Sequence, residues 1–453
     1  MKAHVLRSAF YLLLVSVLCL IPIALAQRIT AKGNRPANVI TVTNGNDSGP
    51  DSLRQALADA NDGDTINFDA SVGTVMLTTA ELAIDKSLTL SGAPQMVTVE
   101  RASQTDFRIF HVMPGHSVEI NGLTITGGSL VGNGGGILSG AILTISNCAI
   151  SGNSITRVDS VEYSGAGIYN VGTMTIVNST VNNNQGLVMG LFPPFGGGIS
   201  NDGGTLTIQN TTISENSVAF NGWGGGVYNA GNAESLTAIN STIRGNTGSF
   251  GGGFFGVAQI INCTISGNSA TYEGGGIYGG GYISNCTISG NMTTVGHSRG
   301  GGLSGAGTIT NSTFSNNLSV NGSDICAETF TVQLGDTILN SGGSIFVLDG
   351  TVTSLGYNLS FDNGGGYLTG PGDQINTDPL LGPLQNNGGP TFTHALLRRS
   401  PAIDAGDPNF TPPPSFDQRG SPFVRVFNGR IDIGSFEVQQ PTPRTRPTPA
   451  PRP

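Results

Sequence analysis

A seven-residue phrase recurs along the middle of the chain and constrains its fold more than any other feature. The phrase first reads Asn-Cys-Ala-Ile-Ser-Gly-Asn, at residues 147–153, and six further copies begin at Asn178, Asn210, Asn240, Asn262, Asn285 and Asn311. The intervals are 31, 32, 30, 22, 23 and 26 residues. Self-similarity at such a period is typical of solenoids, propellers and repeat arrays. Because the phrase is kept while the interval varies, we expect loops of different length at one corner of a repeating coil.

Two columns of residues follow from aligning the copies. Apolar and polar positions alternate within the phrase, which is the period of a β-strand. The apolar column is predicted to face inward and consists of Ile150, Val181, Ile213, Ile243, Ile265, Ile288 and Phe314. A column of small residues on the same face consists of Cys148, Ser179, Thr211, Ser241, Cys263, Cys286 and Ser312. A glycine-rich triplet followed by an apolar residue interleaves with these phrases and begins at residues 134, 165, 196, 224, 251, 274 and 300.

The sequence therefore predicts an all-β fold, a right-handed parallel β-helix of about 12 laps, because strands this short close a lap in as few as 22 residues. Asn suits the phrase since it tolerates left-handed turns and stacks into amide ladders. The one convincing helix spans residues 51–60, where Ser52 and Gln55 have capping-box spacing. We assign residues 39–115 to an N-terminal cap and first coils, with this helix as a lid, and residues 116–350 to the repeats.

Residues 1–26 are predicted to be a signal peptide, because Lys2 and Arg7 precede an apolar run that ends in Ala-Leu-Ala. Its removal changes the net charge from −9 to −11, which argues against nucleic acid as a partner. Residues 27–38 are expected to be a flexible N-terminus. No later segment is apolar enough to span a bilayer. Of the four remaining cysteines, Cys263 and Cys286 occupy successive laps, so both a disulfide and two buried thiols stay open.

Resemblances to known families begin with residues 46–56, which look like the start of many bacterial secreted β-helix proteins. The interleaved Gly-Gly-Gly-Ile and Ile-Ser-x-Asn phrases are similar to repeats of polymorphic outer-membrane autotransporters, which normally have Gly-Gly-Ala-Ile and Phe-x-x-Asn. Only residues 314–317 have the Phe form.

Residues 351–438 closely resemble the choice-of-anchor Q domain of bacterial surface proteins. The matching phrases include Asp-Gln-Arg-Gly at residues 417–420 and Asp-Ile-Gly-Ser-Phe-Glu at residues 432–437. This resemblance implies a loop-rich C-terminal cap that precedes interchangeable surface anchors. The chain departs from the pattern in residues 439–453, a Pro/Arg/Thr tail that we expect to be disordered, without a translocator barrel or hydrophobic anchor.

Candidates for catalysis are sparse along the coils. The charged residues there form no repeated column in the sequence and are Asp159, Glu162, Asp202, Glu215, Glu234, Arg244, Glu273 and Arg299. Because these residues form no such column, we expect no catalytic residues. We also expect no metal or cofactor, since the acidic stretch at residues 59–64 lacks the spacing of a calcium loop. A denser C-terminal set either binds calcium or closes turns, and consists of Asp378, His394, Asp404, Asp407, Asp417, Arg419 and Asp432.

Aromatic residues provide the candidate binding site. Tyr169, Tyr228 and Tyr278 follow the glycine triplet at one offset, together with Phe255, and Trp223 lies just before a triplet. Such a row is either a platform for sugar rings or a stack of good strand residues. A column of threonines beginning at Thr180 and including Thr264 is expected to face solvent.

These observations favour an exported, non-catalytic β-helix scaffold. We expect a bacterial protein, secreted or associated with the cell surface, that acts as a monomeric adhesion or interaction protein. Its expected partner is an extracellular polysaccharide or another cell-surface component. The alternative is a carbohydrate-active enzyme, either a polysaccharide lyase or a glycoside hydrolase. Acidic residues clustered in one groove across neighbouring laps would favour the enzyme.

Overall fold

The computed structural model describes residues 36–158, 163–189, 192–329 and 331–439. The predicted signal peptide, nearly all of the Pro-rich tail, and Asp159 and Glu162 lie outside these ranges. Within them the chain is a parallel β-helix, as predicted. Strands of successive laps pair in parallel and in register, so that Ile243 lies opposite Ile265 and Ile265 lies opposite Ile288.

Three parallel sheets line the coil. The sheet that carries the seven-residue phrase has 12 strands, in agreement with the lap number inferred from the sequence. These strands are Thr74–Leu77, Val97–Arg101, Leu123–Thr126, Ala149–Ser151, Thr180–Asn182, Thr212–Ser214, Thr242–Arg244, Thr264–Ser266, Thr287–Ser289, Thr313–Ser315, Ile338–Asn340 and Leu359–Ser360. We call it the phrase sheet. A second sheet has seven strands, namely Ser129–Leu130, Ser154–Arg157, Gln185–Val188, Ser217–Val218, Thr247–Phe250, Ser269–Glu273 and Met292–Thr293.

The third sheet has 21 strands, because most laps contribute two short strands to it. They are Val39–Val42, Thr65–Phe68, Leu82–Ile84, Leu88–Ser91, Phe110–Val112, Ser117–Asn121, Ile137–Ser139, Ile142–Ser146, Ile168–Asn170, Thr173–Val177, Ile199–Asn201, Thr205–Gln209, Val227–Asn229, Leu236–Ile239, Phe254–Ile261, Ile277–Ser284, Leu303–Thr310, Ile325–Ala327, Thr331–Gly335, Ile345–Val347 and Thr351–Gly356. In three consecutive laps the two strands are fused into one of eight residues, beginning at Phe254, Ile277 and Leu303.

Glycine makes this fusion possible. Gly279, at φ 116°, lies opposite Gly256 and Gly305 in the neighbouring laps. A side chain at Gly279 would collide with the carbonyl oxygen of Gly256. The fused laps are therefore the short ones of 22 to 26 residues, since they need no loop between the two strands.

The two asparagine positions of the phrase have different roles. The opening asparagines, from Asn147 to Asn311, adopt left-handed φ angles of 49–59° and turn the chain between sheets. The closing asparagines are fully buried and form an amide ladder. In the middle of that ladder Asn246 Nδ2 donates to Asn268 Oδ1 at 3.0 Å, and Asn246 Oδ1 accepts from the backbone N–H of Asn216 at 3.0 Å. The predicted amide ladder is thus confirmed for the closing column.

The column of small residues is also a ladder, in which cysteine takes the place of serine. Cys263 Sγ accepts from the backbone N–H of Ser241 at 3.4 Å, and Cys286 Sγ accepts from that of Cys263 at 3.3 Å. Both cysteines are free thiols in the structure. Burial raises the pKa of the Cys286 thiol well above its usual value and that of Cys148 to about 11, which leaves these thiols unreactive at neutral pH.

The N-terminal helix spans Leu53–Asp59 and begins where the capping signal predicts. Ser52 is the N-cap, and its Oγ accepts from the backbone N–H of Gln55 at 3.2 Å. The Gln55 side chain does not complete the capping box, because it donates to Asp59 Oδ1 at 2.9 Å instead. Leu53 and Leu57 are buried in the main core, so the helix packs its apolar face against the first coil.

The C-terminal region does two things. Leu368 packs into the main core and Gln374 pairs with Leu359, so the segment that follows the last strand covers the end of the coil. The chain then runs back along the outside of the phrase sheet as far as Asn262, whose carbonyl accepts from Thr391 Oγ1 at 3.2 Å. We call residues 377–438 the flanking segment. Its regular structure is an antiparallel hairpin of strands Leu381–Gln385 and Thr393–Leu396.

An arginine holds the flanking segment together. The Arg419 guanidinium pairs with Asp417 at 2.6 Å and lies between the rings of Phe423 and Phe436, 3.7 and 3.8 Å from their centroids. Arg419 and Asp417 are both buried, where a bidentate, ring-sandwiched arginine is favourable. The adjacent Gln418 is thereby aimed at the coil, where its Nε2 donates to Thr264 Oγ1 at 3.0 Å.

The flanking segment overturns the expectation that the threonine column faces solvent. Thr180 is exposed, but Thr264, Thr287 and Thr313 are fully buried beneath the segment. Thr264 Oγ1 donates to the carbonyl of Phe392 at 2.6 Å, and Thr287 Oγ1 donates to Gln418 Oε1 at 2.6 Å. In these laps the outward threonines form an internal interface.

We predict different effects for charges placed at three phrase-sheet positions. Ile265→Asp should cost more than about 4 kcal/mol, because it buries an unpaired charge in the core. Thr264→Asp should cost roughly 2–4 kcal/mol, since it desolvates a charge under the flanking segment. Thr180→Asp should stay within about 0.5 kcal/mol at an exposed site. Denaturant unfolding of the three variants measures this order, and equal losses for Thr264→Asp and Thr180→Asp would contradict the buried interface.

The amide ladder gives a second prediction. Asn246→Ala removes a side chain that also donates to the Ile213 carbonyl at 3.0 Å, and it leaves partners in both neighbouring laps unpaired. We expect a loss of about 3–5 kcal/mol in unfolding free energy. The matched control is Asn409→Ala at an exposed position, which should change stability by less than about 0.5 kcal/mol.

Candidate functional site

Two outward columns of aromatic residues lie on either side of the glycine triplets. The first holds the residue that precedes each triplet, and Phe195, Trp223 and Phe250 occupy three consecutive laps. The second holds the residue after the apolar position, and Tyr228, Phe255 and Tyr278 occupy three consecutive laps. Because each triplet is a tight turn, the two columns stand next to each other on the surface. We call these six residues and Tyr272 the aromatic flank.

The rings of the aromatic flank stack on one another along the coil. Tyr228 is stacked between Phe195 and Phe255, with centroid distances of 5.0 and 5.4 Å. Trp223 stacks on Phe195 at 4.8 Å and on Phe255 at 4.9 Å. Such pairs contribute about 0.5–1.5 kcal/mol each beyond their burial. The inner rings therefore use their faces on each other and present their edges to solvent.

The four residues singled out in the sequence are not equivalent. Trp223, Tyr228 and Tyr278 belong to the aromatic flank, joined through Phe255. Tyr169 is in the same column, but buried Ser200 separates it from Tyr228. Its hydroxyl donates to Asp202 Oδ2 at 2.7 Å. The geometry thus brings three of the four together.

Three members of the flank were not predicted from the sequence, namely Phe195, Phe250 and Tyr272. The signal for the first two was present, because each directly precedes a glycine triplet, as Trp223 does. Tyr272 has no such offset. It reaches the flank because its strand, Ser269–Glu273, leads into the next triplet and brings its ring to 5.3 Å from Phe250.

A charged cluster ends the aromatic flank. The column that holds Phe250 continues with Glu273 and Arg299 in the next two laps. The expectation that charged residues form no column is therefore wrong at this point. Arg299 Nη1 contacts Glu273 Oε1 at 3.1 Å and Glu328 Oε1 at 3.0 Å, and both carboxylates have only 17% of their side-chain surface exposed.

The shared arginine does not balance two carboxylates. Burial and the neighbouring Glu328 raise the pKa of Glu273 to about 7, although the positive charge of Arg299 lowers it. Burial and the same two carboxylates also raise the pKa of the Tyr278 hydroxyl. One carboxyl group at the end of the flank therefore holds its proton near neutral pH, and the cluster becomes net negative only when that proton is lost.

A cavity of about 470 Å³ opens directly beside this cluster. Its floor is the glycine-rich part of the fused strands, including Gly279, Gly305 and Gly307, and its walls include Tyr278, Ser304 and Glu328. The glycines are required by the close backbone approach described above. Because these glycines have no side chains, the space between the Tyr278 ring and Glu328 stays open.

The polar C-terminal set is used to fix the flanking segment. His394 is buried, its Nδ1 donates to the Gly382 carbonyl at 2.7 Å, and its Nε2 accepts from Ser289 Oγ at 2.9 Å. Burial lowers its pKa and keeps the ring neutral. Asp432 accepts from the backbone N–H groups of Asp404 and Val438. Within the described residues, no three His, Cys, Asp or Glu side chains converge as metal ligands.

Comparison with known proteins gives only distant structural similarities. No protein-family model and no curated protein matches this sequence. Among solved structures, it is similar to the crystal structure of pectate lyase Pel9A, with a TM-score of 0.47 and 14% identity over 90% of this chain and 98% of that chain. It is also similar to ORF18 of Geobacillus virus E2, with a TM-score of 0.37 and 13% identity over 71% of this chain and 61% of that chain. Across the described ranges, no helix has the length and apolarity to cross a membrane.

The raised pKa of Glu273 gives a pH prediction. The ordinary pKa of a glutamate is 4.5, so between pH 4.5 and about pH 7 the folded protein keeps a proton on Glu273 that the unfolded chain has released. The stability that this proton contributes is present at low pH and is lost as the pH rises through 7. Glu273→Gln cannot ionise, so its melting temperature relative to the native protein should rise from pH 5 to pH 8. Calorimetry at several pH values measures the difference, with Glu119→Gln at an exposed position as control. A pH-independent difference would contradict the buried carboxyl.

Proposed function

We propose that this protein is an exported, non-catalytic β-helix scaffold that binds an extracellular polysaccharide or another cell-surface component through its aromatic flank. The observation that carries the proposal is the flank itself. Six of its seven rings are half-buried, and they form one surface row across consecutive laps. Rings that keep part of their apolar surface in water, with polar tips on the tyrosines, suit contact with sugars.

The repeat spacing favours a polymer as the ligand. Neighbouring rings of one column are about 4.8 Å apart along the coil, because they follow the strand spacing. A polysaccharide lying along the coil contacts several rings at once, so weak individual contacts combine through multivalency. Within the described residues, the charged groups that contact the flank are at its two ends, Arg157 beside Phe195 and the cluster around Arg299. A neutral polymer therefore fits better than an acidic one, and salt should have little effect on binding.

The proposal of export and surface association has separate support. Residues 1–26 have the pattern of a signal peptide, and residues 351–438 resemble the choice-of-anchor Q domain. The triplet and phrase repeats are similar to those of polymorphic outer-membrane autotransporters. A scaffold without catalysis, cofactor or bound metal, acting as a monomer, is consistent with these resemblances, and the net charge of −9 disfavours nucleic acid.

The test is binding of the mature protein to a glycan array and to bacterial and host cell surfaces. Changing Trp223, Tyr228 and Tyr278 together to Ser should abolish retention while the circular dichroism spectrum stays β-rich. The matched control changes Tyr282 and Tyr367 to Ser, since these partly exposed tyrosines lie outside the flank. Undiminished binding by the triple variant would overturn the assignment of the flank as the binding surface.

A carbohydrate-active enzyme remains a second candidate, favoured by the carboxyl pair on Arg299. Glycoside hydrolysis needs a protonated carboxyl group beside a second carboxyl group, and Glu273 suits the protonated role because burial and Glu328 raise its pKa to about 7. Release of reducing ends from the array polysaccharides, lost in Glu273→Gln and in Glu328→Gln, would favour hydrolysis. Binding without any released product would favour the scaffold.

A further inference from the structure

We propose that the cavity between Tyr278, Ser304 and Glu328 is a subsite that holds one uncharged sugar ring, with Tyr278 as its stacking face and Ser304 and Glu328 as its hydrogen-bonding groups. This inference rests on the proposed binding of a polysaccharide by the aromatic flank. It assigns a particular position and a ligand chemistry at the end of that flank.

Tyr278 is the last ring of the aromatic flank in its column, and one of its faces has no ring stacked on it. One face stacks on Phe255, with centroids 5.0 Å apart and planes 18° apart. In the next lap the residue opposite Tyr278 is Ser304, which is too small to cover a ring. The second face of Tyr278 is therefore turned toward the cavity, where the C–H groups of a pyranose ring can pack on it.

Ser304 supplies the second, independent observation. It is fully buried in the wall of the cavity, and its Oγ has no hydrogen-bond partner within the part of the chain that the structure describes. Its neighbour in the following lap is Cys326. Burial raises the pKa of that thiol, and a weak contact with the Ser304 hydroxyl lowers it by a smaller amount. A thiol is a weak partner and makes no hydrogen bond of ordinary geometry here. A buried hydroxyl left in this state is unfavourable, and a hydrogen bond with a ligand hydroxyl would offset that cost.

Glu328 supplies an oriented acceptor on the opposite wall. Its Oε1 is held by Arg299 Nη1 at 3.0 Å, so the carboxylate is fixed in place before any ligand arrives. The protonated Glu273 also hydrogen-bonds to Glu328, and because a carboxylate has about four lone-pair sites, sites remain that can accept from a sugar hydroxyl. A bond from a hydroxyl to a carboxylate is about twice as strong as one between neutral groups.

The charge of the cluster determines which sugars fit. While Glu273 holds its proton, the charge of Glu328 is matched by Arg299, and no other cation forms an ion pair with Glu273 or Glu328 in the described ranges. A sugar carboxylate would therefore find no free cation beside the cavity. An acidic sugar brought next to Glu328 would meet like charge in a partly desolvated site, which is unfavourable. The subsite should therefore accept neutral sugar residues and reject uronic acids.

The test uses affinity electrophoresis of the full mature protein in gels that contain one soluble polysaccharide each. The probes are a β-1,3-glucan, hydroxyethylcellulose, xylan, galactomannan and polygalacturonate. Native protein should be retarded by at least one neutral probe and not by polygalacturonate. Tyr278→Ala, Ser304→Ala and Glu328→Gln should each weaken retardation by that probe about tenfold or more in Kd. Tyr282→Ala, in the same strand as Tyr278, and Glu119→Gln are the matched controls and should bind as the native protein does.

Each result decides something different. Loss of retardation in the three variants, with both controls intact and unchanged circular dichroism spectra, supports the subsite. Retardation that survives in all three variants overturns the subsite and leaves polysaccharide binding by the flank in place. Retardation of the native protein by polygalacturonate alone overturns the charge argument and with it the neutral ligand. A native protein that none of the five probes retards, and that also fails on the glycan array, overturns the proposed function itself.

Discussion

The amide ladder of the closing asparagines is the interaction on which the rest of the structure depends. Each side chain accepts the backbone N–H of the lap before it and donates to the amide of the lap after it, as Asn246 does between Asn216 and Asn268. If one lap slipped by one residue against the next, a fully buried amide would lose both of its partners and the apolar column would turn outward. The ladder therefore fixes the register, and every other column, including the aromatic flank, takes its alignment from it.

Much of the fold could be predicted because each lap repeats the contacts of the previous one. Ile265 is buried for the same reason as Ile243 and Ile288, so one aligned phrase describes them all. The flanking segment breaks that equivalence. Thr180 and Thr264 have the same residue type at the same offset, yet only Thr264 meets Phe392 and Gln418. Those partners are more than a hundred residues away in the sequence, and no local pattern announces them.

The candidate site was predictable to the extent that it follows the repeat. The tyrosine column and Trp223 could be found from their offsets to the glycine triplets. Glu328 could not, since it follows a short strand, Ile325–Ala327, that lacks the phrase. The charged cluster and the cavity arise where the regular repeat gives way to fused strands, and there the geometry depends on glycines whose role is visible only in the paired backbone. The departures from the repeat thus carry the chemistry that the repeat itself lacks.

The flanking segment has a consequence for the order of events in folding and unfolding. Its contacts from Thr264 to Ile338 cross several laps at once, so the surface that receives it exists only after those laps have stacked. The segment is synthesised after the laps that it covers and can find its place only after them. In the reverse direction, the segment must detach before the laps beneath it can separate, and its buried hydrogen bonds to Thr264 and Thr287 oppose that detachment. We therefore expect the laps beneath the segment to open to a protease more slowly than the uncovered N-terminal laps.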